Sequence, residues 1–396
     1  MRSPRSHAPR TMLIWPRSGR FHAPATGRFE DSLALPVLML LCGIALFGCR
    51  ATKQALTDRL THWRMLGDVA LEDPINAVGG DGMVFMPGED SRPLSRKQLA
   101  AADPAKLVNY YAPIFVQQRI DTKAQRFPYP PEYDMIGQAH LRKDANGKLV
   151  SYVAGSPMVY AIVKKLLIDG HEHVQLTYTA WYPAHPQMKA IDLEEAEIDS
   201  CVLRITLDAD NAPLFYETIA ACGCFHKVFI ERWVEDAARQ TFGPPEKDKR
   251  FSVERTVKKS IAWDVAGVVD QPRDQPRRPV IFIAAGDHKV LGMGSAARLR
   301  VPATAEKHPY EMTSYANLYA IKVDDSREPA AFFDMDKGGK VRGAERSKEK
   351  FFLWFVGVDS AGQPRADDQI KMHFDESKWG DSTIYSKYLR LAPGTL

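Results

Sequence analysis

The sequence predicts a mainly β fold, an antiparallel sandwich or open barrel with a few peripheral helices, with α+β as the alternative. Three observations carry this. Short apolar stretches with period two recur between residues 114 and 284. Turn-forming runs of Asp, Asn, Gly and Pro separate them. No long helical pattern intervenes, which argues against a parallel sheet built from βαβ units.

In chain order, residues 50–66 place Leu56, Leu60, Trp63 and Leu66 on one helical face. Residues 67–93 are rich in Gly, Asp and Pro and read as tether. Ser95 and Asp103 read as helix caps, the second followed by Pro104, whose missing N–H is harmless there. That second helix carries Leu107, Val108 and Tyr111 and stops at Pro113. Strands are expected at 114–118, 149–153, 158–167, 173–182, 201–207, 214–219, 224–230 and 280–284, with turns at 144–147, 169–170, 208–213 and 285–287. A helix is expected at 231–240. Residues 241–278 read as an exposed loop, 351–358 as one more buried strand, and 381–391 as a closing helix. The chain then divides into a signal peptide (1–48), a lipid-anchored tether with short helices (49–100), a β-rich domain (101–300) and a C-terminal extension packed on it (301–396).

Composition narrows the class. Of 396 residues, 45% are apolar and 26% charged, which is globular and excludes wholesale disorder. The single long apolar run excludes a polytopic membrane protein. The net charge of +4 comes from the N-terminus. Six of the 53 basic residues and two of the 49 acidic ones fall within 1–48, leaving 47 of each beyond it. A body without net charge gives no electrostatic reason to expect nucleic acid as a partner.

Residues 32–48 (SLALPVLMLLCGIALFG) are uncharged, follow an Arg-bearing stretch, and are short for a membrane span. They end in Leu46-Phe47-Gly48-Cys49 and turn polar at once. This resembles the lipobox of bacterial lipoproteins: an apolar residue, a tolerant position, a small residue, then the cysteine that is lipidated. The resemblance implies diacylglycerol on the Cys49 thiol, an N-acyl chain (palmitate-like), and stable anchoring through several chains. Arg50, where Asp would favour inner-membrane retention, implies the outer membrane, periplasmic side. The competing reading is an uncleaved anchor helix. The polar stretch before the apolar run is longer than such signals need, as a start codon set too early would produce.

The densest chemistry is Ala221-Cys222-Gly223-Cys224-Phe225-His226. On a strand, Cys222, Cys224 and His226 share one face, and two thiols with an imidazole suit zinc or copper. His171 and His173 share a face after the 169–170 turn, continuing through Gln175, Thr177 and Thr179. His288 follows the 280–284 strand, and His185 lies in the next loop after Tyr182. If the strands pair as hairpins, His171 and His173 meet the cysteine cluster at one rim. The bland readings are that the cysteines pack or form a disulfide, a Cys222–Cys224 bridge closing a very small, strained ring and a bridge to Cys201 being easier, and that the histidines are surface or core residues. Glu195, Glu197 and Asp199 alternate as a solvated face or as acid–base groups beside Cys201. Glu217 is placed to orient a ligating histidine.

Other motifs fail. There is no HExxH, P-loop, GxSxG or nucleotide-cofactor fingerprint. The run from Asp334 to Gly339 begins like a calcium loop but lacks its terminal Glu. The sequence at 175–183 (QLTYTAWYP), the segment at 221–226 (ACGCFH) and the Asp287-His288 step resemble a group of proteobacterial proteins with a CGCxH motif. No activity is attached to that group, so the resemblance implies no function. The expectation is a lipid-anchored envelope protein with a Cys/His transition-metal site (Cys222, Cys224, His226, His171, His173, His288) in a binding or structural role. A zinc-dependent hydrolase of an envelope substrate is the alternative. The membrane, through the lipid, is a partner, and an envelope protein or peptidoglycan is a candidate second one.

Overall fold

The computed structural model describes residues 82–88, 92–190, 192–257, 265–298, 304–324, 326, 328–355, 362–371 and 379–396. The expected signal peptide, Cys49 and the 50–66 helix lie outside them. No described helix is long and apolar enough to cross a membrane.

The fold is mostly β. Strands are β1 (Met83–Pro87), β2 (Ile114–Gln117), β3 (Gln138–Lys143), β4 (Leu149–Ala154), β5 (Met158–Ile168), β6 (His171–Tyr182) and β7 (Asp199–Leu207). They continue with β8 (Pro213–Ile219), β9 (Lys227–Glu231), β10 (Val265–Val269), β11 (Pro279–Ile283), β12 (Val290–Ser295) and β13 (Glu306–Ser314). Eleven of them form one sheet in the order β10-β9-β8-β7-β6-β5-β13-β1-β2-β11-β12. Its end strands β10 and β12 come alongside each other, so the sheet curls into a nearly closed barrel. The β3–β4 hairpin stands apart.

Helices are short: α1 (Arg96–Ala100), α2 (Pro104–Tyr110), α3 (Arg232–Phe242), α4 (Ser347–Phe355) and α5 (Thr383–Tyr388). The first two start where their caps require. The Ser95 hydroxyl accepts from Gln98 N in a capping box, and the Asp103 carboxylate accepts from Lys106 N.

From β5 to β9 the sheet is an antiparallel meander. The β5–β6 turn has both Asp169 (φ 49) and Gly170 (φ 86) left-handed, the geometry that matches hairpin twist. Elsewhere the pairing departs from the all-antiparallel expectation. The β9–β10, β5–β13, β13–β1 and β2–β11 pairs are parallel. These joins link strands remote in sequence, so no local turn signal announces them. Two of the joining strands, β1 and β10, fall in stretches read as tether or loop. The third, β13, falls in the 301–396 extension. Residues 351–358, read as a strand, begin within helix α4, because a continuous apolar run such as FFLWF fits either element.

All eleven strands send side chains into one interior set, among them Phe85, Phe115, Val159, Tyr178, Leu203, Tyr216, Phe229, Val269, Ile281, Met293 and Tyr310. The outer face of β6–β9 is also buried. Val202, Phe215, Val228 and Ile230 pack there against Phe332, Phe333, Trp379, Tyr385 and Tyr388 of the C-terminal segments. Chain after residue 315 therefore covers the barrel wall. The polar face of β6 (Gln175, Thr177, Thr179) lies buried beneath it rather than in solvent.

Candidate functional site

The loops after β2, β6, β8 and β11 gather at one end of the barrel. Asp199, the first residue of β7, is buried among them. Its Oδ2 accepts hydrogen bonds from His185 Nδ1 and His288 Nδ1, both at 3.0 Å. Its Oδ1 accepts from Arg346 Nη2 at 3.0 Å and from Ser200 N. Burial alone would raise the carboxyl's pKa. The two imidazoles and the guanidinium overcome it and hold the group well below the usual carboxylate range.

His288 reaches Asp199 because the 284–289 loop turns sharply, with Gly286 at φ 77 and His288 itself at φ 49. Its Nε2 donates to Tyr133 O at 3.1 Å and lies 3.4 Å from Asp134 Oδ1. Both ring nitrogens thus face acceptors, which requires an imidazolium. Burial works against that charge. The hydrogen bonds to Asp134 and Asp199 more than offset it, pushing the pKa up to about 9. The ring stacks on Tyr182 at 3.8 Å between centroids. Asp134 is held in turn by Tyr129 OH and Gly286 N.

Arg346 connects this cluster to the cysteines. Its side chain is wholly buried just before α4. Nη1 donates to Cys222 Sγ at 3.1 Å and to Cys224 Sγ at 3.6 Å. Residues 220–226 form the β8–β9 turn, closed by Gly223 N to Ala220 O and Ala220 N to Cys224 O. Gly223 (φ 94) and Phe225 (φ 57) are left-handed. That curl brings the two sulfurs to 2.7 Å of each other. Burial pushes both thiols up in pKa, with Arg346 opposing. Glu349, one helical turn on from Arg346, sets Oε1 3.9 Å from Cys224 Sγ and Oε2 3.8 Å from Arg346 Nη1. Glu194 joins from the β6–β7 loop: ligand atoms of Glu194, Cys224 and Glu349 all lie within 4.8 Å of one another. His185 Nε2 is 4.0 Å from Glu194 Oε2, which closes a ring of polar groups back to Asp199.

The structure therefore brings Cys222, Cys224 and His288 into one buried network. It does not bring His226, His171 or His173 there. The strand expected from residue 224 begins at Lys227, so the shared strand face of Cys222, Cys224 and His226 does not exist. His226 points to the barrel's outer wall, donating from Nε2 to Glu217 Oε1 at 3.2 Å beside Trp379. Glu217, expected to orient a ligating histidine, meets His226 in that contact, away from the sulfurs. His171 is exposed and His173 donates from Nδ1 to Leu207 O. Both sit at the opposite end of the barrel. Thr179 and Ile219 are level through Val202, and His173 is six residues back along β6, roughly 20 Å away.

Cys201 faces the barrel interior, its thiol pushed up to about 12 by burial and by Asp199, and all three described cysteines are free thiols. Glu195 and Glu197 are not part of the cluster, while Asp199 between the loop and β7 is its centre. Sequence reading missed Arg346, Glu349 and Glu194. The first two are an i, i+3 Arg–Glu pair at a helix start, a common spacing that is uninformative without the 124-residue contact to Cys222.

Fold and site together define a mainly β, barrel-forming protein with a buried thiol–carboxylate–imidazole cluster at one end. Comparisons with protein-family models, with curated proteins and with solved structures gave no match.

Proposed function

We propose that this chain is a lipid-anchored protein of the bacterial envelope, held at the outer membrane through Cys49 and facing the periplasm. Its barrel end holds a transition metal in a binding or structural centre made by Cys222, Cys224, Glu194 and Glu349. The observation that carries the metal reading is the convergence of Glu194, Cys224 and Glu349, from three separate segments, to within 4.8 Å. The Cys222 sulfur lies beside Cys224 and supplies the fourth donor. Mixed thiolate and carboxylate donors favour zinc over cuprous copper, which prefers sulfur alone. Arg346 supplies the cation that four anionic ligands around a divalent ion require nearby.

Burial of Cys222, Cys224 and Glu349 favours a closed centre over the hydrolytic alternative, which needs a coordination position open to water and substrate. Such a centre ties the β6–β7 loop, the β8–β9 turn and α4 together. The lipid anchor rests on the sequence at 32–49, and an envelope protein or peptidoglycan remains the proposed partner class.

The test is elemental analysis of the intact chain, extracted from membranes in detergent without chelators. Stoichiometric zinc is expected, lost in Cys224→Ser and Glu349→Gln and kept in His226→Ala and His171→Ala. Wild-type protein that stays metal-free after zinc supplementation would overturn the metal reading. Palmitate labelling that survives Cys49→Ser would overturn the anchor.

A further inference from the structure

Cys222 and Cys224 are placed against each other as well as against the carboxylates. The turn 220–226 is short, and its left-handed Gly223 folds the chain so that the sulfurs meet at 2.7 Å. Among the described residues, no third thiol competes. Cys201 belongs to the barrel interior, whereas Cys222 and Cys224 form a separate small cluster with Ala220 and Phe225. A sulfur pair that is both a half-share of a metal centre and within reach of direct bonding has two mutually exclusive states. A sulfur engaged in a disulfide is no longer a thiolate ligand.

We propose that Cys222 and Cys224 are a reversible dithiol–disulfide couple, and that its oxidation empties the metal centre. The metal half of this rests on the function proposed above. The oxidant is an external disulfide, the currency of an oxidising compartment. One cysteine thiolate attacks a sulfur of that disulfide, forming a mixed disulfide and releasing one external thiolate. The neighbouring thiolate then attacks the cysteine sulfur of the mixed disulfide. The Cys222–Cys224 bond closes and the second external thiolate leaves. Two electrons pass from the pair to the oxidant. The metal, left with Glu194 and Glu349 alone, dissociates.

The sulfurs are nearly inaccessible, so exchange waits on opening of the 220–226 turn. From outside, Ala221 N donates to Ser200 Oγ and Arg365 N donates to Ala221 O, and side chains add Arg346 on both sulfurs and Glu217 on His226. Burial therefore slows the exchange without deciding where its equilibrium lies. Arg346 is held beside both sulfurs by its bond to Asp199.

The experiment equilibrates intact wild-type protein, in detergent, with reduced and oxidised glutathione at a series of ratios. Free thiols are then alkylated, the protein is trypsinised, and released metal is measured in the same samples. Cleavage after Arg204 and Lys227 puts Cys222 and Cys224 on one peptide and Cys201 on another. The expected result is that the 205–227 peptide loses the mass of two hydrogens and its two alkylation sites as the oxidised form rises. Bound metal falls in parallel by about tenfold or more, both changes reverse on reduction, and the Cys201 peptide does not change.

Persistent alkylation of Cys222 and Cys224 at the most oxidising ratio overturns the couple. So does a disulfide that reduction does not reopen, or one that forms while the metal stays bound. Reduced protein that never held metal defeats the function proposed above. The couple is then decided by the peptide alone, so the two failures are told apart. Cys201→Ser is the companion variant and should cycle like wild type.

Discussion

Two buried arginines, Arg204 and Arg346, live differently. Arg204, on the outer wall, is saturated. Its Nε and Nη2 grip both oxygens of Glu217, Nη1 donates to Trp379 O, and the guanidinium lies 3.5 Å over the Trp379 ring. Glu217 is equally full, taking Tyr385 OH and His226 Nε2 as well. Arg346 divides one guanidinium between two carboxylates, Asp199 and Glu349, and two sulfurs, and its Nε has no hydrogen-bond partner among the described residues. A matched ion pair with every site filled fixes one packing arrangement. A cation spread over Asp199, Glu349, Cys222 and Cys224 is matched to no single partner. The difference teaches that burial of charge alone does not mark a site; incomplete pairing next to soft donors does.

The largest expected effect breaks the saturated side. Glu217→Gln leaves Arg204 charged and buried without its partner, and should cost about 3–5 kcal/mol in denaturant unfolding. The loss should be the same with and without chelator. A chelator-dependent loss would mean that the two arginines are not separate systems.

Next comes pH, on the Arg346 side. His288 has its folded pKa raised to about 9. A raised pKa contributes stability that is fully present below the unfolded value near 6.5 and is lost as pH rises through the folded one. Wild type should therefore lose up to roughly 3 kcal/mol relative to His288→Gln between pH 6.5 and 9.5. Glu231 complicates the absolute curve. Burial, against hydrogen bonds from Tyr216 and Gln271, pushes it up to about 8, so its own contribution also fades with rising pH. It cancels in the difference between the two proteins. Parallel curves for the pair would show that His288 is neutral in the fold.

Arg346→Lys follows, at about 1–2 kcal/mol. Lysine keeps the charge but loses the planar fork that reaches a carboxylate and a thiol at once. Metal content should fall and alkylation of Cys222 and Cys224 should quicken, whereas Arg204→Lys should move stability alone. Urea midpoints and alkylation rates on both variants check this. Unchanged alkylation in Arg346→Lys would make Arg346 another Arg204.

The same contrast explains what was legible beforehand. The meander β5–β9 could be read strand by strand, with starts off by up to three residues, because period-two burial and adjacent turns such as Asp169-Gly170 are local facts. Strands β1, β10 and β13 enter the sheet by parallel joins to remote partners, and nothing in their own residues states the partner. At the site, Cys222 and Cys224 were visible as a motif and His288 as a turn residue. The shared face with His226 was an error of three residues in where a strand starts, enough to send that imidazole to Glu217 instead. Arg346 and Glu349 stayed hidden because their partners are set by the C-terminal cover rather than by spacing.

The smallest expected effect tests whether α4 is held by this buried chemistry or merely by its surface. Lys348, between Arg346 and Glu349, pairs with Glu195 of the β6–β7 loop, and both side chains are about half exposed. That bridge spans the same two segments as the proposed centre, since Glu194 and Glu349 are the immediate neighbours of its two ends. Exposed pairs lose most of their attraction to solvent and side-chain entropy, so Lys348→Met should cost no more than about 0.5 kcal/mol and should leave metal content and the thiol couple unchanged. Raising the salt concentration on wild type should likewise do little. A loss as large as that of Arg346→Lys would mean that the loop and helix meet through their surface charges. The buried donors would then be close only because something else holds them so, and the comparison between the two arginines would lose its functional side.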